Sequence, residues 1–281
     1  MTKQILTIDI GGTKIRIVQF RDNKNFEVKH ETEFPTPADP YILTSELADT
    51  IRQQFPDFAK FSKDNIVTIA TRSRKIVDGK VTGSLLGMTD FPIAKLLSKQ
   101  IDRTKVLVEN DSKMGALGAF PTNFTGRGLY VTIGTGIGCG LIINGQLSHD
   151  LFDMEAGKMI LRLPDEGFAT WEGIASGTAL SAKHGVISDD ILADDPIWRK
   201  YADDLSLGLY ALLPVVRVNK IVFGGKIGDY FEKFGKRLAH NLRAVSKNDS
   251  WFDDVELSST DSRYVVNRGA AIFTLNQSDD K

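Results

Sequence analysis

Alternating apolar and polar residues open the chain and predict an antiparallel meander. Residues 4–10 (QILTIDI) and 15–20 (IRIVQF) both alternate, as half-buried β-strands do. A glycine turn separates these two segments, and a polar turn at residues 22–25 precedes a third strand-like segment at 26–32. The pattern therefore predicts three strands, of which the first two are joined through glycine.

A helical period follows the meander. Asp39 and Pro40 form a typical helix start, with Asp as the N-cap and Pro at the first helical position. Apolar residues then recur every fourth position on one helical face: Leu43, Leu47, Ile51 and Phe55. Further strands are predicted at 66–70, 105–108, 129–133, 138–143 and 220–223. Further helices are predicted at 93–97, 114–120, 171–183, 198–213, 230–245 and 263–275, so the chain after residue 145 is expected to be mostly helical.

A second strand–glycine–strand unit lies about one domain length after the first. Residues 131–136 (VTIGTG) repeat the pattern of residues 8–13 (IDIGGT), and another strand follows in each case. Asn144 and Gly145 then give a strong hairpin signal. At roughly 150 residues per domain, the length corresponds to about two domains. The repeat therefore favours an internal duplication.

Charge and composition exclude several classes of protein. The chain has 35 Lys and Arg against 36 Asp and Glu, with pI ≈ 6.4, so no basic excess favours nucleic acid or an anionic membrane. Its hydrophobic fraction of 42% is too high for a disordered chain. Apolar stretches such as 209–216 are far shorter than the ~20 residues of a membrane span, and no signal peptide fits the N-terminus. The single cysteine, Cys139, excludes an intramolecular disulfide. We therefore expect a globular, cytoplasmic protein.

Two glycine turns after apolar strands predict backbone N–H groups that hold an anion, since only glycine lets the backbone approach so closely. Residues 11–14 (GGTK) lack the spacing of the Walker loop and lead into a strand. Residues 134–140 (GTGIGCG) have the wrong phase for a Rossmann fingerprint and also lead into a strand. The remaining phosphate-binding arrangement is a pair of β-hairpins, one in each of two lobes, that enclose a nucleotide from both sides.

Motifs along nearly the whole chain resemble the ROK family of bacterial sugar kinases and repressors, within the hexokinase–actin superfamily. Residues 9–14 (DIGGTK) resemble the first phosphate motif, 109–111 (END) the catalytic motif and 133–138 (IGTGIG) the second phosphate motif. The adenosine motif is matched by residues 221–225, the Glu-containing helix by 171–179 and the C-terminal helix by 269–271. Each motif alone is weak, but their order is highly specific.

The resemblance implies an α/β fold of two ribonuclease H-like lobes, as in actin-like ATPases, with a cleft between them. The first lobe is expected to comprise residues 1–112 plus 262–281, and the second residues 113–261. A packed hinge is expected near residues 111–113.

The resemblance also assigns the nucleotide and the base. Asp111 would be the catalytic base; it could also be a plain N-cap, and in both roles the helix N-terminus would keep the carboxylate ionised at neutral pH. Asp9 would hold the Mg²⁺ of ATP through water, since a bare carboxylate would repel the phosphates. Residues of the phosphate and adenosine motifs would bind ATP: Gly11, Gly12, Thr13, Lys14, Gly134, Thr135, Gly136, Gly138, Gly224 and Gly225. For Lys14, a solvated side chain is the alternative.

The residues expected to bind sugar hydroxyls are mostly carboxylates and amides: Asn110, Asp111, Glu155, Lys158 and Glu172. Lys158 stands where many members have His, and no cysteine follows it, which excludes the structural zinc site of those members. Lys158 could pair with Glu155 or Glu172, favour an anionic substrate, or be solvated. Residues 71–75 (TRSRK) replace a Pro-Gly loop of the family and form either an exposed basic loop or a segment that attracts a sugar phosphate or sugar acid.

The sequence thus predicts a glucokinase-like transfer of the γ-phosphate of ATP to a hexose hydroxyl, at C6. The identity of the sugar stays open among glucose, fructose, mannose and N-acetylmannosamine, and an acidic or amino sugar is an alternative substrate. Polyphosphate is an alternative phosphate donor to ATP. A non-catalytic sugar sensor is a second reading. A repressor would need a helix-turn-helix ahead of the first strand, which starts at Gln4, so that reading is disfavoured. Relatives are often dimers, which leaves a homodimer open.

Overall fold

The computed structural model describes residues 4–21, 26–59, 65–83, 86–148, 150–151, 153–163, 167–245, 252 and 254–279. The predicted turn at residues 22–25 lies outside these residues. The chain divides into two compact units, one made of residues 1–118 and 266–281 and the other of residues 119–265. The predicted lobe boundaries, after residue 112 and before residue 262, lie a few residues from these divisions and stay a prediction.

A five-stranded sheet forms the centre of the first unit. The elements up to residue 119 are β1 (Ile5–Ile10), β2 (Lys14–Phe20), β3 (Val28–Pro35), α1 (Pro40–Gln54), α2 (Pro56–Ala59), β4 (Ile66–Thr71), β5 (Lys75–Val77), β6 (Lys80–Thr82), α3 (Ile93–Gln100), β7 (Lys105–Asn110) and α4 (Asp111–Ala119). The strand order is β3-β2-β1-β4-β7. β2 pairs antiparallel with both β1 and β3, as the meander predicted, whereas β4 pairs parallel with both β1 and β7. The carboxyl ends of these three parallel strands therefore meet at one edge of the sheet.

Helix α1 forms where the local sequence predicted it. The Asp39 carboxylate accepts hydrogen bonds from the backbone N–H groups of Tyr41 (2.8 Å) and Ile42 (2.9 Å), which is the expected N-cap. The predicted apolar positions are all buried: Leu43, Leu47, Ile51 and Phe55. They join the sheet residues in one apolar core of this unit.

The second unit repeats the architecture of the first. Its elements are β8 (Arg127–Ile133), β9 (Ile137–Ile143), β10 (Gln146–Leu147), β11 (Ile160–Leu163), β12 (Gly167–Thr170), α5 (Trp171–Ala175), α6 (Gly177–His184), α7 (Pro196–Val216), β13 (Lys220–Gly224), α8 (Gly225–Gly228), α9 (Phe231–Val245) and β14 (Glu256–Ser259). The strand order β10-β9-β8-β13-β14 has antiparallel β8, β9 and β10 followed by parallel β8, β13 and β14. Order and directions match those of the first sheet, as an internal duplication predicts.

Two predictions about the second unit were wrong. The helix predicted at 171–183 is two helices, because Ser176 is extended (ψ 166°) and its hydroxyl accepts the N–H of Ala179 as the N-cap of α6. The stretch expected to be mostly helical also contains the hairpin β11–β12 and the edge strand β14. These strands have only four residues each, too few for a clear period.

Helix α10 (Val265–Asp279) completes the first unit. The Asn267 amide donates to Thr7 Oγ1 (3.1 Å), and the hydroxyls of Thr274 and Thr68 share a buried hydrogen bond (2.6 Å). Gly269 lies directly on α4, since a Cβ added there would stand 1.6 Å from the Met114 carbonyl oxygen. α10 therefore packs against both the sheet and the helix that begins at Asp111.

The predicted α/β class is confirmed in both units. Among the described residues, no helix combines the length and the apolar character that crossing a membrane requires.

Candidate active site

The first unit brings two predicted motifs to one edge of its sheet. Asp9 lies near the end of β1, ahead of the glycine turn, while Asn110 ends β7 and Asp111 begins α4. Because β1, β4 and β7 run parallel in register, these groups all lie at the carboxyl ends of neighbouring strands. The first phosphate motif and the catalytic motif therefore adjoin one another.

The first glycine turn is fixed from both sides. The Gly11 N–H donates to the Lys14 carbonyl (3.0 Å), and a Cβ on Gly11 would stand 2.9 Å from that same oxygen. Thr36 donates its hydroxyl to the Gly11 carbonyl (2.7 Å) and its N–H to the Thr13 carbonyl (3.0 Å). Gly12 and Thr13 are exposed at the tip. The turn is thus held in shape while its tip stays accessible to an anion.

A row of charges crosses the first three strands at Asp9. Asp9 pairs in register with Arg16, and Arg16 with Glu33. The Arg16 guanidinium, on a residue only 9% exposed, forms an ion pair with Glu33. Lys14 Nζ donates to the other Glu33 oxygen (3.2 Å). Glu33 therefore orients two cations next to the first phosphate motif.

Sequence reasoning missed Arg16 and Glu33. For Arg16 a signal was available, because it is a charged residue within the alternating segment 15–20 and its position is buried. Glu33 carried none, because only the strand register brings it to Arg16.

The Asp9 carboxyl titrates far from its usual range. Burial, reinforced by the nearby Asp111 carboxylate, raises the pKa of Asp9 to about 7, although Arg16 and Lys14 oppose the shift. Two acidic groups thus lie close together at this edge without full compensation of their charge.

Burial also raises the pKa of Asp111, an effect opposite to the lowering expected from the helix N-terminus. The Ser112 N–H donates to Asp111 Oδ1 (2.8 Å), and the Arg72 guanidinium also lowers this pKa. Desolvation nevertheless outweighs these contributions.

Asn110 has a structural role that the sequence did not predict. Its Oδ1 accepts the N–H groups of Ser112 (2.9 Å) and Lys113 (3.3 Å), so it caps α4. Its Nδ2 donates to the Ser73 carbonyl (3.0 Å), which fastens the segment after β4 to the start of α4. The Oδ1 atom and one N–H of the amide are therefore engaged within the chain, and sugar binding by Asn110 stays a prediction.

The two carboxyl groups Asp9 and Asp111 suit Mg²⁺, which needs few protein ligands, rather than a metal that is held entirely by protein side chains. Within the described part of the chain, no cluster of three or more His, Cys, Asp or Glu side chains could hold a metal ion. Mg²⁺ is usually bound by one or two carboxylates together with waters and substrate phosphates. The carboxylate of Asp9, beside Asp111 and a phosphate-type turn, matches that donor set.

The starts of helices α6 and α8 pack closely against the second glycine turn. The Gly134 N–H donates to the Gly136 carbonyl (3.0 Å), and the Gly177 N–H at the start of α6 donates to the Gly134 carbonyl (2.7 Å). Gly225 has a positive φ of 72°, and a Cβ there would stand 2.7 Å from the Ile133 carbonyl oxygen. The predicted second phosphate motif and the adenosine motif are thus adjacent, and glycine is required where they touch.

Three of the predicted sugar-binding residues surround the start of β9. Lys158 Nζ donates to Glu172 Oε1 in an ion pair, and the Ile137 N–H donates to Glu172 Oε2 (3.4 Å). Glu155 immediately precedes the 3₁₀ turn Ala156–Lys158, whose Gly157 packs on the Ile137 carbonyl. Of the alternatives for Lys158, the structure therefore realises pairing with Glu172.

The segment of residues 71–75 is only partly an exposed basic loop. Arg74 and Lys75 are exposed. Arg72 is half-buried and lies close enough to Asp111 to lower its pKa.

Comparison with known proteins agrees with this architecture. The chain is 27% identical over 249 residues to a fructokinase of Streptococcus mutans, covering 81% of each protein. Among solved structures, a ROK family glucokinase from Streptomyces griseus in complex with glucose and AMPPNP has a TM-score of 0.77 at 18% identity, with 96% of this chain and 98% of the glucokinase covered. A ROK family transcriptional regulator, a homologue of the E. coli MLC protein, has a TM-score of 0.76 at 16% identity, with 97% and 78% covered.

These solved structures share the fold, so the predicted actin-like ATPase class is confirmed. The sequence pattern of the ROK family matches residues 5–272, which is nearly the whole chain. The chain therefore belongs to the ROK family.

Proposed function

We propose that this chain is an ATP-dependent sugar kinase that transfers the γ-phosphate to a hexose hydroxyl, at C6. The observation that carries the proposal is the adjacency of a phosphate-type glycine turn and two carboxylates of raised pKa, Asp9 and Asp111. A protein that only bound a sugar would need neither the turn nor a desolvated base. Since such a kinase consumes ATP, we place it in the cytoplasm.

Asp111 is the proposed general base. The sugar hydroxyl oxygen attacks the γ-phosphorus and forms the new O–P bond, while the bond to the bridging oxygen breaks and ADP leaves. Asp111 accepts the hydroxyl proton. Burial raises the pKa of Asp111, and a raised pKa makes the ionised carboxylate a stronger base.

The glycine turns would supply N–H donors to phosphates, Gly12 and Thr13 in the first turn and residues 134–136 in the second. Asp9 would hold Mg²⁺ through water, and Mg²⁺ would offset the charge of the phosphates. Lys14 and Arg16, oriented by Glu33, would add positive charge beside the same turn.

The sugar would be bound chiefly by Glu155, Glu172 and Lys158, with Asn110 holding the start of α4 in place. The Glu172 carboxylate is already oriented by Lys158 and by the Ile137 N–H, so it is fixed before a ligand arrives. Such preorganisation lowers the entropic cost of binding.

A coupled ADP-release assay with Mg-ATP across hexoses, amino sugars and sugar acids tests the proposal. A parallel series with polyphosphate as donor is followed by detection of the sugar phosphate, because polyphosphate releases no ADP. We expect sugar-dependent ADP release. Asp111→Asn should lower kcat by ~10²–10⁴-fold, the usual contribution of a positioned base, and leave sugar binding within about twofold.

Asp39→Asn is the matched control, because Asp39 is also a carboxylate at a helix start in the same unit. Near-normal turnover by Asp111→Asn would contradict the role of the base. Thermal stabilisation by a sugar without turnover on any sugar or donor would instead identify a sugar-sensing protein.

A further inference from the structure

A threonine just after β3 holds two carbonyl groups of the first glycine turn. Thr36 donates its hydroxyl to the Gly11 carbonyl (2.7 Å) and its N–H to the Thr13 carbonyl (3.0 Å). Thr36 is half-buried, whereas Gly12 and Thr13 at the tip of the turn are exposed. Both carbonyl groups therefore point toward the end of β3, and one of the two hydrogen bonds comes from a side chain.

The hydrogen bond to the Gly11 carbonyl determines where the next N–H group points. The peptide bond between Gly11 and Gly12 is trans, so the Gly11 carbonyl and the Gly12 N–H point in opposite directions. Because the carbonyl points to Thr36, the Gly12 N–H points away from it. Within the described part of the chain, the N–H groups of Gly12 and Thr13 donate no hydrogen bond. The turn therefore keeps two donors for a ligand at its exposed tip.

Two consecutive glycines do not maintain this orientation by themselves. Glycine lets a ligand approach the backbone closely, but it leaves the peptide unit between Gly11 and Gly12 without the Cβ contacts that restrict rotation. If this unit rotated, the Gly11 carbonyl oxygen would take the place of the Gly12 N–H and would repel an anion. That rotation would break the hydrogen bond from the Thr36 hydroxyl, so Thr36 opposes it.

The local sequence fixes the Thr36 hydroxyl before any ligand binds. Pro35 and Pro37 flank Thr36, and a residue that precedes proline is restricted to extended conformations. Threonine is also β-branched, so its side chain has few rotamers. The bond from the Thr36 N–H to the Thr13 carbonyl holds the backbone from which the hydroxyl projects. Such preorganisation lowers the entropic cost of ligand binding.

On the basis of the proposed kinase function, we propose that Thr36 is a positioning residue that directs the Gly12 N–H toward the phosphates of ATP. Its hydroxyl keeps the Gly11 carbonyl turned away from the phosphates, so that the turn presents N–H groups to them. In this role Thr36 acts through the backbone of the turn and needs no contact with the nucleotide. The role differs from that of Lys14 and Arg16, because Thr36 adds no charge.

Thr36→Val tests this role, because valine has a similar shape, keeps the N–H bond to Thr13 and lacks the hydroxyl. Titration calorimetry without sugar gives the dissociation constants of Mg-ATP and of adenosine. We expect Thr36→Val to weaken Mg-ATP binding about tenfold or more, as loss of a hydrogen bond to a charged group does, and to change adenosine binding by less than about twofold. Thr36→Ser restores the hydroxyl and should bind Mg-ATP within about threefold of the wild type.

Thr32→Val is the matched control, because it removes a hydroxyl from β3 at a position paired with Ile17. It should leave both dissociation constants within about twofold of the wild type. A second measurement needs neither sugar nor nucleotide: the amide NMR shifts of Gly12 and Thr13 are followed during titration with inorganic tripolyphosphate. Both amides should shift in the wild type and in Thr36→Ser, and clearly less in Thr36→Val.

Three results would overturn the proposal. The first is a Thr36→Val protein that binds Mg-ATP as tightly as the wild type. The second is an equal loss of Mg-ATP and adenosine binding in Thr36→Val, or no recovery in Thr36→Ser, since either would indicate a general structural role. The third is a wild-type protein in which tripolyphosphate does not shift the amides of Gly12 and Thr13. Absence of sugar-dependent turnover would contradict the kinase function, but the tripolyphosphate titration would still decide the role of Thr36.

Discussion

Asp9 links the stability of the first unit to pH. Its pKa is about 7 in the folded protein and near 3.8 in an unfolded chain, so between these values the folded state keeps a proton that the unfolded state releases. The free energy of unfolding should therefore fall as pH rises from about 4 to about 7, in protein free of Mg²⁺ and nucleotide. Asp9→Asn should remove this part of the pH dependence.

Urea denaturation at pH 5 and pH 8 in the presence of a chelator measures the effect. The wild type should lose more stability between these values than Asp9→Asn. Asp49→Asn, which removes an exposed carboxylate of α1, should retain the wild-type difference. Equal differences for wild type and Asp9→Asn would show that Asp9 is ionised in the folded protein throughout this range.

At the residue scale, short motifs made Asp9, the glycine turns and Asp111 visible in the sequence. Arg72 is different, because its position beside Asp111 depends on the pairing of β4 with β7, which are far apart in the chain. The raised pKa of Asp111 could not be predicted either. A helix start is a local pattern, whereas burial of the carboxyl depends on the packing of the whole unit.

At the scale of elements, the contact between α10 and α4 is made backbone to backbone. A Cβ at Gly269 would stand 1.6 Å from the Met114 carbonyl oxygen and 2.8 Å from the Gly118 nitrogen. Gly→Ala within a helix normally stabilises by roughly 0.5–1 kcal/mol. Here the methyl group has no space, so Gly269→Ala should lower the free energy of unfolding by about 1–3 kcal/mol, as overpacking does.

Urea denaturation checks this expectation. Asn276→Ala, an exposed position on the same helix, is the control for helix propensity and should be neutral or slightly stabilising. A stabilised Gly269→Ala protein would mean that α10 does not approach α4 so closely.

Elements were predictable where their signals are local. Helix α1 carries its cap, its proline and its apolar stripe within one segment. The break at Ser176 is only partly of this kind: Ser176 caps α6 locally, but the Gly177 N–H also donates to the Gly134 carbonyl of a distant turn. The edge strand β14 is likewise defined by its pairing with β13 rather than by its own sequence.

At the scale of the whole molecule, the two units can be followed separately by spectroscopy. All three tryptophans fall within the chain range of the second unit: Trp171 and Trp198 are buried there, and Trp251 lies outside the described residues. Tryptophan fluorescence therefore reports unfolding of the second unit, whereas far-UV circular dichroism reports both.

We expect Gly269→Val, with a larger side chain than alanine, to separate the two signals on heating. Circular dichroism should show a first transition at a lower temperature than the fluorescence transition. The midpoint of the fluorescence transition should stay at the wild-type value, because each unit has a separate apolar core. Coincident transitions shifted by the same amount would show that the units unfold as one.

The first unit encloses the second in the chain, since residues 1–118 and 266–281 lie on either side of residues 119–265. During synthesis α10 is therefore made only after the second unit is complete. At roughly 5–20 residues per second this delay is on the order of ten seconds. For that time the growing chain on the ribosome exposes the sheet face with Thr7 and Thr68, which α10 later covers. The unit whose synthesis starts first therefore cannot complete its fold until the second unit has been made.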